Sequence, residues 1–338
     1  MKKLLALLLT LTMVAALAAC GAKPAEPAAP AEGDAAPAKV YKVAMICDSS
    51  ISDGGWGAAC YSAMVAAAEA KGWETKVTDS IDVAAYADTI DSYCQLGFDM
   101  IFAPGNQYTD ATKQVAANYP DICFALLNGT KDDVSDNIMA ILPNADQIGY
   151  MAGALAGLMT KTNVLGFIGA IEIDTTKAKL AGYEAAAKVV NPDITVKSAY
   201  AGGFSDTAKG MELAKGMIGE KADVFFGDAS AVDSGARQAV DAANGTGEIK
   251  IFDIGQPSDL LTQNPCVISS VVTDNAGMIG LCMDAVVAGT FGNDVIYGSL
   301  ENNCLAVGKF NDELVSPEIQ KEYLGYVEQM KAGTFLAK

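Results

Sequence analysis

Short apolar runs alternate with longer alanine-rich stretches from Tyr41 onward. The apolar runs are continuous and rich in β-branched and aromatic residues, which is typical of buried parallel strands. The longer stretches contain helix-forming residues with apolar positions at helical spacing. The predicted strands of this first series are Tyr41–Cys47, Thr75–Thr78, Met100–Ala103 and Ile122–Leu127, and its predicted helices are Gly55–Lys71, Val83–Leu96 and Thr109–Asn118.

A second series of the same kind begins after a strand-like run that ends at Pro143 and Asn144. Two such series predict two doubly wound α/β domains with parallel sheets. The predicted strands are Val164–Ile168, Thr195–Tyr200, Val224–Phe226, Ile249–Ile254, Val267–Thr273, Val295–Tyr297 and Cys304–Val307. The predicted helices are Ala145–Thr160, Thr176–Val190, Thr207–Ile218, Val232–Ala243, Pro257–Thr262, Ala276–Ala288 and Pro317–Lys331.

The first 39 residues follow neither pattern. Two lysines precede an apolar run, which is typical of a secretory signal peptide, here residues 1–19. The following LAAC sequence resembles a bacterial lipobox and predicts lipid attachment to Cys20. Residues 20–39 are rich in Ala, Pro and Glu, so we expect a disordered tether. The prediction is a protein anchored by lipid to the extracytoplasmic face of the cell membrane.

Composition excludes several classes of function. The chain has 338 residues, no histidine and a single arginine, Arg237, with a net charge of -18. Without histidine there is no Ser-His or Cys-His nucleophile and no histidine-bound zinc. A strongly acidic chain is unsuited to nucleic acid. We expect no metal, no cofactor and no catalytic residues. The seven cysteines after Cys20 lie mostly in apolar runs, which favours buried free thiols.

Candidate ligand contacts come from the residues that follow each predicted strand, because open α/β sheets bind ligands at the carboxyl ends of their strands. These positions hold acids, amides, glycines and aromatic residues, with almost no cation. Such a set suits a neutral ligand with donor groups, stacked on a ring of Trp56 or Tyr108. The candidates are Asp48, Trp56, Gly105, Asn106, Tyr108, Asp110, Phe204, Asp228, Ser230, Asp253 and Thr273. A strand-end aspartate can also simply cap the following helix.

Several stretches together resemble the basic membrane lipoprotein (BMP/Med) family of ABC-transporter substrate-binding proteins. They are KVAMICDSSISDGGW, FDMIFAPGNQYTDATKQVAANYPDICFALLNG, NADQIGYMAGALAGLMTKTNVLGFIGAIEI, GYEAAAKVVNPDI and YAGGFSDTAKGMELAKGMIGEKADVFF. The resemblance covers roughly residues 42–310. It implies a type I periplasmic-binding-protein fold, with two doubly wound parallel-sheet lobes joined by a multi-strand hinge. We assign residues 40–142 and 256–273 to lobe 1, and residues 143–255 and 274–338 to lobe 2.

The resemblance also implies roles for individual residues. Nucleoside receptors of the family stack a purine between aromatic rings and bind the base with Asp and Asn and the ribose with Asp and Lys. Asp48 and Asp110 match the acids of lobe 1, and Trp56 matches a stacking ring. Phe204 matches the aromatic residue of the opposite lobe, and Asp253 the ribose-binding acid.

Two positions depart from the family's pattern. Gly57 stands where many nucleoside receptors have Asn, and Thr273 stands where they have the ribose-binding Lys. A missing lysine removes a charge-assisted hydrogen bond worth roughly 1.5–3 kcal/mol. A free purine base, or another flat polar heterocycle, is therefore a serious competitor to a nucleoside as the ligand.

The sequence thus predicts a monomeric, lipid-anchored binding protein that delivers a purine nucleoside or nucleobase to the permease and ATPase of an ABC importer. Three alternatives stay open. The ligand could be a sugar or an autoinducer-like molecule, since acids and rings suit those too. The chain could be a carboxylate-dependent hydrolase using Asp48 and Asp110, or a membrane-tethered sensor domain without transport.

Overall fold

A computed structural model describes residues 39–52 and 56–336 of the chain. The predicted signal peptide, Cys20 and nearly all of the predicted tether lie outside the described residues, as do positions 53–55. Within the described part of the chain, no helix is both long and apolar enough to cross a bilayer.

The first sheet is formed mainly by the N-terminal half of the folded chain and defines lobe 1. It has strand order β11-β5-β4-β3-β1-β2, and all of its strand pairs are parallel. The strands are β1 Lys42–Ile46, β2 Glu74–Thr78, β3 Met100–Ala103, β4 Cys123–Leu127, β5 Ile138–Pro143 and β11 Val295–Gly298. Its helices are α1 Trp56–Lys71, α2 Tyr86–Gln95, α3 Thr109–Ala116 and α8 Asn275–Ala288.

The second sheet has the corresponding order β12-β10-β9-β8-β6-β7 and defines lobe 2. Only the pair of β10 and the short strand β12 is antiparallel. The strands are β6 Val164–Gly169, β7 Thr195–Tyr200, β8 Val224–Asp228, β9 Phe252–Gly255, β10 Val267–Thr273 and β12 Leu305–Val307. The helices are α4 Ala145–Met159, α5 Asp174–Val190, α6 Thr207–Gly219, α7 Ala231–Asn244 and α9 Pro317–Lys331.

Three short connections join the two sheets. Asn144 alone separates β5 from α4, Asp274 alone separates β10 from α8, and residues 299–304 lead from β11 to β12. The connections are hydrogen-bonded where they cross, as the N–H of Asn144 donates to Gly298 O and that of Asp274 to Cys304 O, both at 2.8 Å. Each leaves the carboxyl end of a parallel strand. The carboxyl edges of the two sheets therefore lie on the two sides of one hinge.

The sheet topology corrects two of the predicted lobe boundaries. Residues 256–273 were expected in lobe 1, but β10 pairs with β9 in the second sheet. Residues 274–338 were expected in lobe 2, but α8 packs on α1 and β11 pairs with β5 in the first sheet. Apolar periodicity identifies a strand without saying which sheet it joins, so these boundaries were wrong.

The predicted helix at Pro257–Thr262 does not form. The N–H of Leu260 donates to Ser270 Oγ at 3.0 Å, and that of Leu261 to Asp259 Oδ1 at 3.2 Å. Side chains thus satisfy backbone donors that a helix would direct to its own carbonyls. The other predicted strands and helices are present, with boundaries that differ by a few residues.

Each sheet is covered by helices on both faces, and four buried clusters fill the layers between them. In lobe 2, α4 packs unusually close to α5. Gly149 and Gly153 lie directly against the backbone of α5 near Lys179 and Tyr183, where a Cβ atom would collide with it. The glycines therefore fix α5 on the sheet, and α5 carries residues of the candidate site.

Candidate ligand-binding site

Asp48 follows β1 at the carboxyl edge of lobe 1, and its carboxylate is exposed. Two neutral groups hold it: Tyr86 Oη donates to Oδ2 at 3.3 Å, and Gln107 Nε2 donates to the same oxygen at 3.2 Å. Burial, together with the nearby negative charge of Asp48, raises the pKa of Tyr86 and keeps it a donor. Because no cation is bound to Asp48 among the described residues, its charge remains available to a ligand.

Trp56 begins α1 and is 45% exposed at the same edge. Its Nε1 donates to Pro104 O at 2.6 Å, which ties the indole to the residue after β3. A large ring that is both exposed and fixed at its polar atom is suited to stacking. Gly57 has a local reason to lack a side chain, because a Cβ atom there would collide with Cys47 Sγ and Ser49 Oγ.

The loop after β3 brings the other lobe 1 candidates to this edge. Gly105 and the exposed Asn106 lie at the start of a single 3-10 turn, and Asp110 is exposed in the first turn of α3. Negative charge is favourable at that end of a helix, which gives Asp110 a structural role as well.

Tyr108 does not offer its ring as predicted. Its side chain is 0% exposed and packs against Tyr86 with the ring centroids 4.6 Å apart. Its hydroxyl accepts the backbone N–H of Asp48 at 2.9 Å. Tyr108 therefore positions Asp48 rather than presenting a stacking surface.

Phe204 and Ser230 lie together at the carboxyl edge of lobe 2. Phe204 follows β7 and is 45% exposed, and its carbonyl accepts the N–H of Ala231 at 3.0 Å. Ser230 precedes α7 with φ +54° and ψ −115°, a strained conformation for a residue with a side chain. Strain of this kind is frequent at binding sites.

Asp228 is the last residue of β8 and lies in a network that the sequence did not predict. Lys179 Nζ donates to its Oδ1 at 2.7 Å, and Thr176 Oγ1 donates to its Oδ2 at 2.7 Å. Lys179 Nζ also donates to Gln256 Oε1 at 3.1 Å. The edge of lobe 2 thus has a lysine where the sequence predicted almost no cation, and the carboxylate of Asp228 compensates its charge.

Asp253 does not fit the predicted role of a ligand-binding acid. It is the second residue of β9 rather than a residue beyond the strand, and it is 4% exposed. Arg237 Nε donates to its Oδ2 at 2.7 Å. Burial raises the pKa of Asp253 to about 6, although the Arg237 guanidinium opposes that rise. The only arginine of the chain therefore belongs to an internal ion pair.

Thr273 ends β10, where its N–H donates to Pro257 O at 2.8 Å and it pairs with Leu305 of β12. It is therefore part of the hinge. Among the described residues no cluster of three or more acidic or sulfur side chains could hold a metal ion. Six of the described cysteines are buried free thiols, as expected from their apolar context, and Cys123 is half-buried.

Four residues near the candidate site were not singled out from the sequence: Tyr86, Gln107, Thr176 and Lys179. Gln107 had a signal, because it lies in the loop after β3. Thr176 and Lys179 are three residues apart on α5 and so share a face, but that spacing alone does not distinguish a site from a solvated surface. Tyr86 had no local signal.

The folded chain matches a protein-family model over residues 40–332, and that model is the Bmp family, described as ABC transporter substrate-binding protein PnrA-like. The chain belongs to the Bmp family. It is 34% identical over 176 residues to the ABC transporter nucleoside-binding protein BmpA of Lactococcus lactis subsp. cremoris, covering 52% of this chain and 50% of that protein. It is 28% identical over 284 residues to a purine-binding protein of Brucella abortus, covering 83% and 78%.

In three curated relatives, the segment that matches this chain spans between 50% and 58% of the relative's own length. Among solved structures, an ABC transporter solute-binding protein from Conexibacter woesei has a TM-score of 0.70 at 21% identity, covering 87% of this chain and 97% of that one. Together with the two parallel-strand sheets, this likeness confirms the type I periplasmic-binding-protein fold predicted from the sequence.

Proposed function

We propose that this chain is the lipid-anchored, extracytoplasmic binding protein of an ABC importer, and that it closes on a neutral purine nucleoside or nucleobase between its lobes. Membership of the Bmp family supports the transport role. The names of two relatives, one nucleoside-binding and one purine-binding, support the ligand class. The lipobox-like sequence before Cys20 supports the anchor.

The observation that carries the proposal is a pair of exposed rings at the two carboxyl edges. Trp56 and Phe204 are each 45% exposed, although large apolar side chains are usually buried. A planar heterocycle held between them would remove both rings from water. Asp48, whose Oδ1 accepts no hydrogen bond from the described residues, would accept an N–H group of the base.

Closure is proposed to follow from the hinge. Each lobe contributes one ring, so a ligand that contacts both has more contacts in the closed state than in the open one. A ligand shifts an equilibrium only by that difference in affinity. The permease and ATPase would then recognise the closed form. In this proposal the chain acts as a monomer and binds its ligand without transforming it.

Isothermal titration calorimetry of the full chain with inosine, guanosine and adenine tests the ligand class. We expect saturable binding of at least one purine at micromolar protein and none of uridine, whose smaller ring covers less of the two aromatic faces. Native mass spectrometry of freshly purified protein would add the mass of any ligand retained from the cell. Absence of heat with all three purines would contradict the proposal.

A further inference from the structure

The ion pair between Lys179 and Asp228 differs from the internal pair of the same lobe. The side chain of Asp228 is 21% exposed at the carboxyl edge, whereas that of Asp253 is 6% exposed behind Arg237. Asp228 ends β8 and is paired with Gly169, the last residue of β6, so the pair lies at the rim of the sheet. An ion pair in this position faces the ligand side of lobe 2.

The pair also has unused hydrogen-bonding capacity. An ammonium group has three N–H donors, and Lys179 uses two of them, on Asp228 Oδ1 and Gln256 Oε1. Each carboxylate oxygen accepts about two hydrogen bonds. Asp228 Oδ2 accepts one among the described residues, from Thr176 Oγ1. One donor and one acceptor therefore have no partner among the described residues, and they belong to two groups whose Nζ and Oδ1 atoms lie 2.7 Å apart.

A neighbouring donor and acceptor match two adjacent hydroxyl groups, one of which accepts from the ammonium while the other donates to the carboxylate. The two charges compensate each other, so the pair does not attract an anion. We propose that Lys179 and Asp228 bind the vicinal hydroxyl groups of the ligand's sugar, with Thr176 and Gln256 positioning them. This inference rests on the proposed function and deepens it, since it selects a ribonucleoside over a free base.

The pair also bears on the departure at Thr273. A lysine was expected there from the family's pattern, and its absence put a sugar contact in doubt. Lys179 arrives at the same edge from α5, held by the close packing of α4 on α5. The donor for a sugar hydroxyl is therefore supplied from a different element.

Calorimetry of the full chain with inosine, 2′-deoxyinosine and hypoxanthine tests this inference. Each lost charge-assisted hydrogen bond should weaken binding by about tenfold or more, so inosine should bind more tightly than the other two. Lys179→Met should weaken inosine by about tenfold and change hypoxanthine by less than about twofold. The matched control is Lys177→Met on the same helix, whose lysine is 53% exposed and paired with Asp174.

A second variant tests the carboxylate of the pair, independently of the lysine. Asp228→Asn retains the shape but replaces one acceptor oxygen with a donor, and should also weaken inosine selectively. Circular dichroism melting of each variant reports whether it is folded. Equal loss of inosine and hypoxanthine affinity in Lys179→Met, or no loss of either, would overturn the inference while leaving purine binding intact.

The two proposals fail in different ways. If the unmodified chain binds no purine, the proposed function fails, and the same variants are then titrated with D-ribose and D-allose. Sugar binding that Lys179→Met abolishes would still support the hydroxyl site. Sugar binding that the variant leaves unchanged, or no binding of either class, would overturn it.

Discussion

The two lobes have sheets of corresponding strand order, yet they treat their acidic side chains differently. At the edge of lobe 1, neutral donors hold Asp48, and no cation among the described residues compensates its charge. In lobe 2, Lys179 pairs with Asp228 and Arg237 pairs with Asp253. The backbone architecture therefore does not decide what a strand-end acid does. The decision depends on whether a helix of the same lobe brings a cation to it.

We propose that this difference lets the two lobes recognise different parts of the ligand. Lobe 1 offers an anionic acceptor beside a fixed indole, which suits the N–H edge of a heterocycle. Lobe 2 offers a ring and a neutral donor–acceptor pair, which suits hydroxyl groups. Neither edge favours an anionic ligand, because lobe 1 repels it and the cation of lobe 2 is already paired.

Removal of the cation from the internal pair of lobe 2 should have the largest effect. Arg237→Met leaves Asp253 buried and unpaired, and should lower the free energy of unfolding at pH 8 by about 3–5 kcal/mol. At pH 5 the loss should be smaller, because the carboxyl, with a pKa already raised to about 6, can then take up a proton. Urea unfolding at both pH values measures the change.

The control for this variant is Lys250→Met, which removes an exposed partner of Glu248. It should change the free energy of unfolding by less than about 1 kcal/mol. A loss in Arg237→Met no larger than in this control would mean that the pair does not stabilise lobe 2.

A second buried acid of lobe 2 predicts a dependence on pH. Asp233 is 9% exposed, and its Oδ2 accepts the N–H of Ala229 at 2.8 Å. Burial raises its pKa from 3.8 to about 7, so the folded chain holds this proton at pH values where the unfolded chain has lost it. That contribution to stability is complete below about pH 4 and is lost as the pH rises to about 7.

Asp233→Asn imitates the protonated carboxyl and removes this dependence. The variant should gain about 1–3 kcal/mol over the unmodified chain between pH 4 and pH 8, measured by urea unfolding. The exposed Asp121→Asn serves as control and should show no such gain. Parallel stability profiles of the Asp233 variant and the unmodified chain would contradict the assignment.

Lobe 1 should respond in affinity rather than in stability. Asp48→Asn replaces an anionic acceptor with a neutral amide, and should weaken purine binding by about 1.5–3 kcal/mol. Calorimetry measures the affinity, and thermal melting should show little change because the side chain is exposed. A melting temperature that falls while affinity persists would assign Asp48 a structural role.

Trp56→Ala should produce a smaller or comparable loss of affinity. Removing a stacking ring costs about 1–3 kcal/mol per base. A loss in the middle of that range weakens the affinity at least about tenfold. Tyr297→Ala on β11, whose ring is 50% exposed, is the matched control and should leave affinity unchanged. Equal affinity of Trp56→Ala and the unmodified chain would remove the indole from the site.

The sequence predicted the lobe 1 edge better than the lobe 2 edge. Asp48 directly follows the predicted strand Tyr41–Cys47, so identifying that strand was enough to place it at the edge. Asp253 was misjudged because it lies within a strand rather than after one, and β9 keeps its side chain buried. Tyr108 was misjudged because nothing in a single aromatic residue tells whether its ring is buried.

The sequence by itself determined the alternation of strands and helices, the α/β class and the family, because apolar periodicity and local motifs act within about ten neighbouring residues. The tertiary structure alone decided which sheet β10 and β11 join, and which acids receive a cation. Those outcomes depend on contacts between segments far apart in the chain, such as Lys179 with Asp228. Local pattern carries no record of such partners, so only the folded chain distinguishes an acid free to bind a ligand from one already paired.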